Sequence, residues 1–279
     1  MPVHDPMVVR RQLGRHLRQM RDGARKSEAD IDESCLMSRA KLWRIETGRV
    51  AARPGDVRAL CWLYGADAET TDALSTLALG AKSPGYWEDF DDGTPAQFSL
   101  YRDLECVAGE LRVYSPESVH ALLQTPDYAR AHWRGADPDI TEQGVQDRMK
   151  LFQERQEAFH SRTPRPRLVT VLSDGALARL VDNRETMSDQ IKRLYSLTRR
   201  EQVDIRVLPW TAGAHPAMHV GPFTIMDFNS DDDPAVVCIE TLTGTRYLER
   251  AGELSAYRRA FRRIYNKSRP VEDKLPTDT

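Results

Sequence analysis

No run of this chain approaches the roughly 18 consecutive apolar residues that a membrane-spanning helix needs, so no such helix is expected. Cysteine is scarce. Cys35, Cys61, Cys106 and Cys238 lie far apart with no CxxC pair, which removes the usual spacing of a zinc site or a disulfide framework. Cys35 and Cys61 stand among apolar residues at helical spacing and are expected to be buried thiols. GxSxG, HExxH, the P-loop and the Rossmann glycine pattern are all missing, and with them the commonest signatures of hydrolases and nucleotide enzymes. The opening MPVHDPMVVRRQLGRHL has neither the apolar stretch nor the small-residue cleavage site of a signal peptide. The expected compartment is the cytoplasm, where the triplet Asn266-Lys267-Ser268 has no meaning as a glycosylation site.

A dominant charge is missing too, since 40 Lys and Arg face 42 Asp and Glu. The balance hides an uneven distribution. Residues 1–58 carry 13 bases against 8 acids, a surplus of five, and the other 221 residues carry 27 against 34, a deficit of seven. A basic head on an acidic body suggests two units with different partners, and 279 residues suffice for a core in each.

The head reads as helices. Val9, Leu13, Leu17 and Met20 recur at helical spacing among arginines, which predicts a helix over 8–22 that Gly23 ends. Ser27-Glu28-Ala29-Asp30 has the form of a capping box for a short second helix carrying Ile31 and Cys35 inward and ending near Leu36. Ser38 caps a third helix, with Leu42 and Ile45 on its buried face and Gly48 as its stop. Pro54 opens a fourth helix, closed by Gly65, and Thr70 to Ala81 completes a set of five. Two short helices around a tight turn, the second exposing Arg39, Lys41 and Arg44, describe a helix-turn-helix.

At SEADIDESCLMSRAKLWRIETGR, within a match from Leu13 to Leu79, the chain resembles the lambda-repressor-like (XRE-type) DNA-binding domain. Its most specific part is the order of Ser38, Ile45, Glu46 and Gly48. The chain departs from that pattern at Glu28, where Gln is usual, and at Leu36, a turn position often held by Gly. The resemblance implies an all-α five-helix domain that binds an operator in double-stranded DNA. The contact set expected is Arg39, Ala40, Lys41, Trp43, Arg44 and Arg49 on or after the third helix, Ser27 and Glu28 at the start of the second, and Arg15 and Arg18 on the first. Arg39 and Lys41 are the base-edge candidates, because both residue types donate to guanine O6 and N7. Arg44 reaches a base or a phosphate. Trp43 either meets a thymine methyl or packs on the first helix. Glu46 is expected to be structural, since phosphates would repel it. The few phosphate contacts of one small module suggest a homodimer on two half-sites.

Beyond a Pro-, Gly- and acid-rich connector, LECVAGELRVY suggests a helix with Leu104, Val107, Ala108 and Leu111 on one face. Helical turns follow from Ser115 to Gln124 and from Pro126 to Trp133, then a long helix from Glu142 to His160. PRLVTVLSD switches to a β-branched strand pattern, Ile191 to Leu197 marks another helix, and VDIRVLPW, GPFTIMDF, AVVCIETL and GTRYLER are four more strands before a closing helix from Leu254 to Asn266. The class expected is α+β with a mostly antiparallel sheet. The domain boundaries read from this pattern are 1–81, a connector at 82–100, 101–267, and a tail at 268–279.

HALLQTPDYARA, RMKLFQERQ, DIRVLPWTAGAHPAMHVGPFTIMDF and IETLTGTRYLER occur in the order found in the C-terminal domain of WhiJ-like actinomycete regulators, which residues 85–265 resemble. The family's Val-Pro-Gly-Leu-Leu-Gln-Thr opening is here Val119-His120-Ala121-Leu122-Leu123-Gln124-Thr125. The resemblance implies a regulator of development or antibiotic production that answers to a small protein partner or a small-molecule effector. Gln124, Thr125, Tyr128, Trp210, His215 and His219 are the candidate contact residues, as a mixture of aromatic surface and a few polar groups. His215 and His219, with Asp227 and Glu240 on nearby strands, also raise a metal-dependent, hydrolase-like enzyme tethered to DNA. Prolines and glycines break AGAHPAMHVGP, so a loop with surface histidines is preferred, and neither catalysis nor a cofactor is expected. A partner-sequestering module with incidental DNA affinity is a third reading.

Overall fold

The computed structural model describes residues 7–80, 100–179, 181–229, 234–241 and 244–274. Residues 82–99 of the expected connector lie outside them. Two compact units emerge: residues 1–104 with 241–249, and residues 105–240 with 250–279. Among the described residues no helix is long and apolar enough to cross a membrane.

The first unit contains α1 (Met7–Gly23), α2 (Glu28–Glu33), α3 (Arg39–Glu46), α4 (Pro54–Tyr64) and α5 (Ala68–Gly80). All five helices expected from periodicity and caps are present. Ser27 and Asp30 close the capping box of α2, with Ser27 Oγ accepting from the Asp30 N–H at 3.2 Å and the Asp30 carboxylate accepting from the Ser27 N–H at 2.7 Å. Pro54 stands at the start of α4, and Gly65 ends it in the left-handed region. Val9, Leu13, Leu17, Ile31, Leu42, Ile45, Val57, Leu60 and Leu74 form the buried core. One expectation fails. Cys35 is exposed and holds φ at 59°, so it is the left-handed residue of the turn rather than a core thiol. The chain reverses there, one residue before Leu36, and the reversal carries the side chain outward.

After α6 (Leu100–Val107), the elements are β1 (Glu110–Ser115), α7 (Pro126–Ala136), α8 (Glu142–His160), β2 (Arg167–Ser173), α9 (Asp174–Ala178), α10 (Arg184–Thr198), β3 (Val203–Leu208), β4 (Phe223–Asp227), β5 (Val236–Thr241), β6 (Gly244–Leu248), α11 (Ala251–Lys267) and β7 (Arg269–Pro270). The sheet is mixed and seven-stranded, and the strands of the second unit lie in the order β5-β4-β1-β2-β3-β7. The α+β class with mostly antiparallel pairing holds, since β4 with β1, β5 with β4 and β7 with β3 are antiparallel. Its centre is parallel, β1 with β2 and β2 with β3, each joined through helices as parallel strands require.

The central strand β1 falls where the periodicity predicts helix. Leu111 is on β1, and α6 stops at Val107. Leu111 and Val113 point to the buried face while Glu110 and Arg112 point to the other, a two-residue alternation that the chance helical spacing of Leu104, Val107, Ala108 and Leu111 obscures. Residues 115–124 hold only a short 3₁₀ turn at Ala121–Leu123. Residues 269–270, counted with the tail, pair with β3, and Val271 is buried with its carbonyl accepting from Tyr195.

Charge is also buried in this unit. Glu105 accepts two hydrogen bonds from Arg155, at 2.5 and 2.7 Å, and His120 Nε2 lies 4.0 Å away. Burial, reinforced by Arg155 and opposed by Glu105, pushes His120 down to about 4 from 6.5. Between those values the unfolded chain binds a proton that the folded chain refuses. This contribution to stability is therefore complete above the unfolded pKa and disappears as pH falls toward the folded one, about 3 kcal/mol in all. Urea unfolding at a series of pH values should show stability declining from pH 6.5 to 4. His120→Asn should flatten that decline, and an unchanged slope would show that this histidine does not cause it.

Candidate nucleic-acid interface

A helix can read a surface only if its inner face is held. On α3, Leu42 and Ile45 supply the apolar part of that face and are fully buried or nearly so. Ser38 caps the helix, accepting from the Lys41 N–H at 3.3 Å. Its far end is fixed by charge: Glu46 accepts from Arg21 Nε at 2.7 Å and Nη2 at 3.0 Å, with both side chains almost wholly buried. The remaining Arg21 nitrogen donates to the Lys26 carbonyl at 3.0 Å. The hydrogen bond to Glu46 raises the Arg21 pKa above its ordinary value, so this guanidinium keeps its charge. Backbone meets backbone beside it. A Cβ on Gly14 of α1 would lie 2.5 Å from the carbonyl oxygens of Ile45 and Glu46, and Gly48, at φ 69°, leaves no room for one against Arg11.

The outer face of α3 presents Arg39, Ala40, Trp43 and Arg44. Arg39 has only a loose ion pair with Asp32, at 3.5 Å between two well exposed side chains. Arg44 folds back to the Ala40 carbonyl at 3.1 Å. Arg49 stacks its guanidinium over the Trp43 ring at 4.6 Å, and Trp43 stays partly exposed on this face. Lys41 differs from the sequence picture: it is half-buried and bound to Asp56 of α4 at 2.7 Å. Glu28 is exposed at the start of α2, and the Ser27 hydroxyl is engaged in its cap. On α1, Arg18 is exposed and Arg15 half-buried. Arg21 escaped the sequence reading, because 25 residues separate it from Glu46 and no local pattern links them.

The second candidate set is not brought together as one exposed cleft. Tyr128 is completely buried, its hydroxyl accepting from the Val119 N–H at 3.1 Å. Gln124 is buried and donates to the Val119 carbonyl at 2.7 Å. Thr125 caps α7, and its N–H donates to Gln190 Oε1 at 2.7 Å. The expectation of exposed aromatic surface fails at Gln124 and Tyr128, because the polar segment between β1 and α7 satisfies its backbone groups with these two side chains. Trp210 and His219 are exposed, Trp210 three-quarters so. His215 is half-buried against Tyr114, and burial, then Lys267, lowers its pKa. Among the described residues, His215, His219, Asp227 and Glu240 do not come together as a metal-binding group.

Residues 12–74 match a family model described as a helix-turn-helix domain, and residues 98–274 match one described as a domain of unknown function (DUF5753). No curated protein and no solved structure matches the chain.

Removing one partner of a buried ion pair leaves the other charge stranded, which costs about 3–5 kcal/mol. Glu46→Ala should therefore unfold the first unit at markedly lower temperature, and Arg21→Met with Glu46→Leu should recover most of the loss. Calorimetry on the full chain distinguishes these outcomes. Equal melting of Glu46→Ala and the parent would mean that the pair does not hold α3.

Proposed function

Because the chain belongs to the family of the domain of unknown function DUF5753 and carries a helix-turn-helix domain ahead of it, we propose that it is a sequence-specific transcription regulator whose second unit senses a small protein or small-molecule effector. The observation that carries the DNA-reading half is the outer face of α3. Arg39, Ala40, Trp43 and Arg44 stand exposed on a helix whose inner face is locked by Leu42, Ile45 and the Arg21–Glu46 pair. α3 enters the major groove, Arg39 reads a guanine, and Trp43 with Arg49 flanks the groove. Lys41 joins them by releasing Asp56. Arg15, Arg18 and the N-terminal turn of α2, Ser27 and Glu28 included, lie along the phosphates.

The protein binds as a homodimer in the cytoplasm. Trp62 and Leu79, large apolar side chains exposed on α4 and α5, support self-association through the head. The motifs that resemble WhiJ-like actinomycete regulators support a small protein as effector. Trp210 and His219 form the exposed part of its contact surface, His215 borders it, and Thr125, Gln124 and Tyr128 brace the segment ahead of α7. An effector shifts operator affinity only by as much as it distinguishes the bound and free states. We prefer this reading to a DNA-tethered enzyme because the four candidate ligands of a metal are not gathered.

Arg39→Ala should weaken cognate binding by about 1–3 kcal/mol and relax sequence preference at one base pair. Arg15→Ala and Arg18→Ala should weaken all sequences alike and flatten the salt dependence. Fluorescence anisotropy on cognate and scrambled duplexes over a salt series reads both effects. Unaltered cognate affinity in Arg39→Ala would remove α3 as the reader.

Self-association has its own measurement. On a palindromic operator with half-sites about 34 Å apart, sedimentation should find two chains per duplex, and Trp62→Ala should reduce that stoichiometry. One chain per palindrome would end the dimer reading.

A further inference from the structure

Among the described residues α11 lies over one side of the sheet, and its cover is incomplete. Phe261 packs on Phe223, and Tyr265 donates to Asp204 at 2.7 Å, which fixes α11 over one part of the face. Toward the start of β1 and β2 a cavity of about 1090 Å³ remains, with Glu110, Arg112 and Arg167 on the strands and Arg258, Arg259 and Arg262 on the helix. All of these residues belong to the second unit.

The charges there do not balance. Two carboxylates face the cavity's arginines, and both are occupied: Arg112 donates to Glu110 at 2.9 Å and to Asp227 at 2.7 Å, and Arg258 also binds Asp227. Arg167 lies 3.9 Å from Glu110 and is largely exposed, which is little more than a long-range contact. Arg259 donates to the Ser255 hydroxyl, a neutral partner, at 2.6 Å. Among the described residues Arg262 forms no ion pair. Among the described residues, five guanidinium groups around two carboxylates leave an excess of three positive charges in a concave site, inside a unit whose sequence is nearly balanced, with 24 Lys and Arg against 25 Asp and Glu. Guanidinium groups gathered this way repel one another until an anion enters, and their planar forks match phosphate oxygens two at a time. The apolar lining offers little to a greasy ligand, since Leu254 and Phe261 are themselves buried. The volume exceeds what a single phosphate fills and lies at the upper end of small-ligand sites.

We propose that this cavity binds a compact polyanion carrying two or more linked phosphate groups, held by Arg259, Arg262 and Arg167, with Arg112 and Arg258 kept in place by Glu110 and Asp227. The site is separate from the Trp210–His219 surface, and it does not depend on the second unit being a sensor.

Inorganic tripolyphosphate is the probe, titrated calorimetrically into the full chain with no DNA present. Saturable one-to-one binding is expected, at least tenfold tighter than orthophosphate or citrate. Arg259→Ala with Arg262→Ala should weaken it at least tenfold with unchanged circular dichroism. Arg167→Ala, on a different element, should weaken it as well and guards against a folding artefact in the helix pair. Absence of saturable binding, citrate binding as tightly, or full affinity in both variants would each overturn the proposal. So would a loss of DNA affinity in the double variant without tripolyphosphate binding by the parent, because the arginines would then serve the DNA backbone. Operator affinity without added anion tests the regulator reading, so the two can fail separately.

Discussion

The buried pair between Arg21 and Glu46 is the constraint on which the first unit depends. It joins α1 to the end of α3 by two charge-assisted hydrogen bonds out of reach of water. The glycines beside it permit the close approach that the pair needs. Gly14 brings the backbone of α1 against the last carbonyls of α3, and Gly48 turns the chain away through a left-handed conformation that a side chain would obstruct. An isolated eight-residue helix is marginal in water. Held in this way, it becomes a fixed ridge whose outer side chains keep their positions.

The second unit is organised by a different constraint. Its parallel centre requires cover on both faces, and β2 is accordingly buried from Leu168 to Leu172. One face is packed continuously. The other alternates Glu110, Arg112, Arg167, Asp204 and Arg206 with apolar positions, and α11 covers only part of it. Covered charges find partners within the sheet and on α11, as Arg206 does at Ser268 and Asp204 at Tyr265. The uncovered end collects arginines. A polar sheet face under one helix thus serves both as packing surface and as a basic concavity.

Much of the head was legible because its signals are local. Ser27, Ser38, Pro54 and Gly65 act within one turn of their own helices, and Leu13, Leu17, Leu42 and Ile45 declare a buried stripe by spacing alone. The strands β2 to β6 were legible for the same reason, as short β-branched runs between turn residues. β1 was hidden because a two-residue alternation in six residues coincided with a helical spacing that continued from α6. Cys35 was misplaced because a left-handed turn residue inverts the direction that periodicity assigns. Gln124 and Tyr128 looked like surface groups on composition, yet they satisfy the backbone of the segment that precedes α7.

By itself the sequence determined the helix-turn-helix head, the α+β body and the arginines available to each, since caps, periods and charge are properties of neighbouring residues. It also identified Glu46 as structural. Only the tertiary structure decided that Arg21 is its partner, that Lys41 is bound to Asp56, that β1 to β3 run parallel, and that arginines from two strands and one helix surround a single cavity. Each of these joins residues far apart in the chain. Their energies depend on distance and burial in three dimensions, and neither quantity is carried by spacing along one.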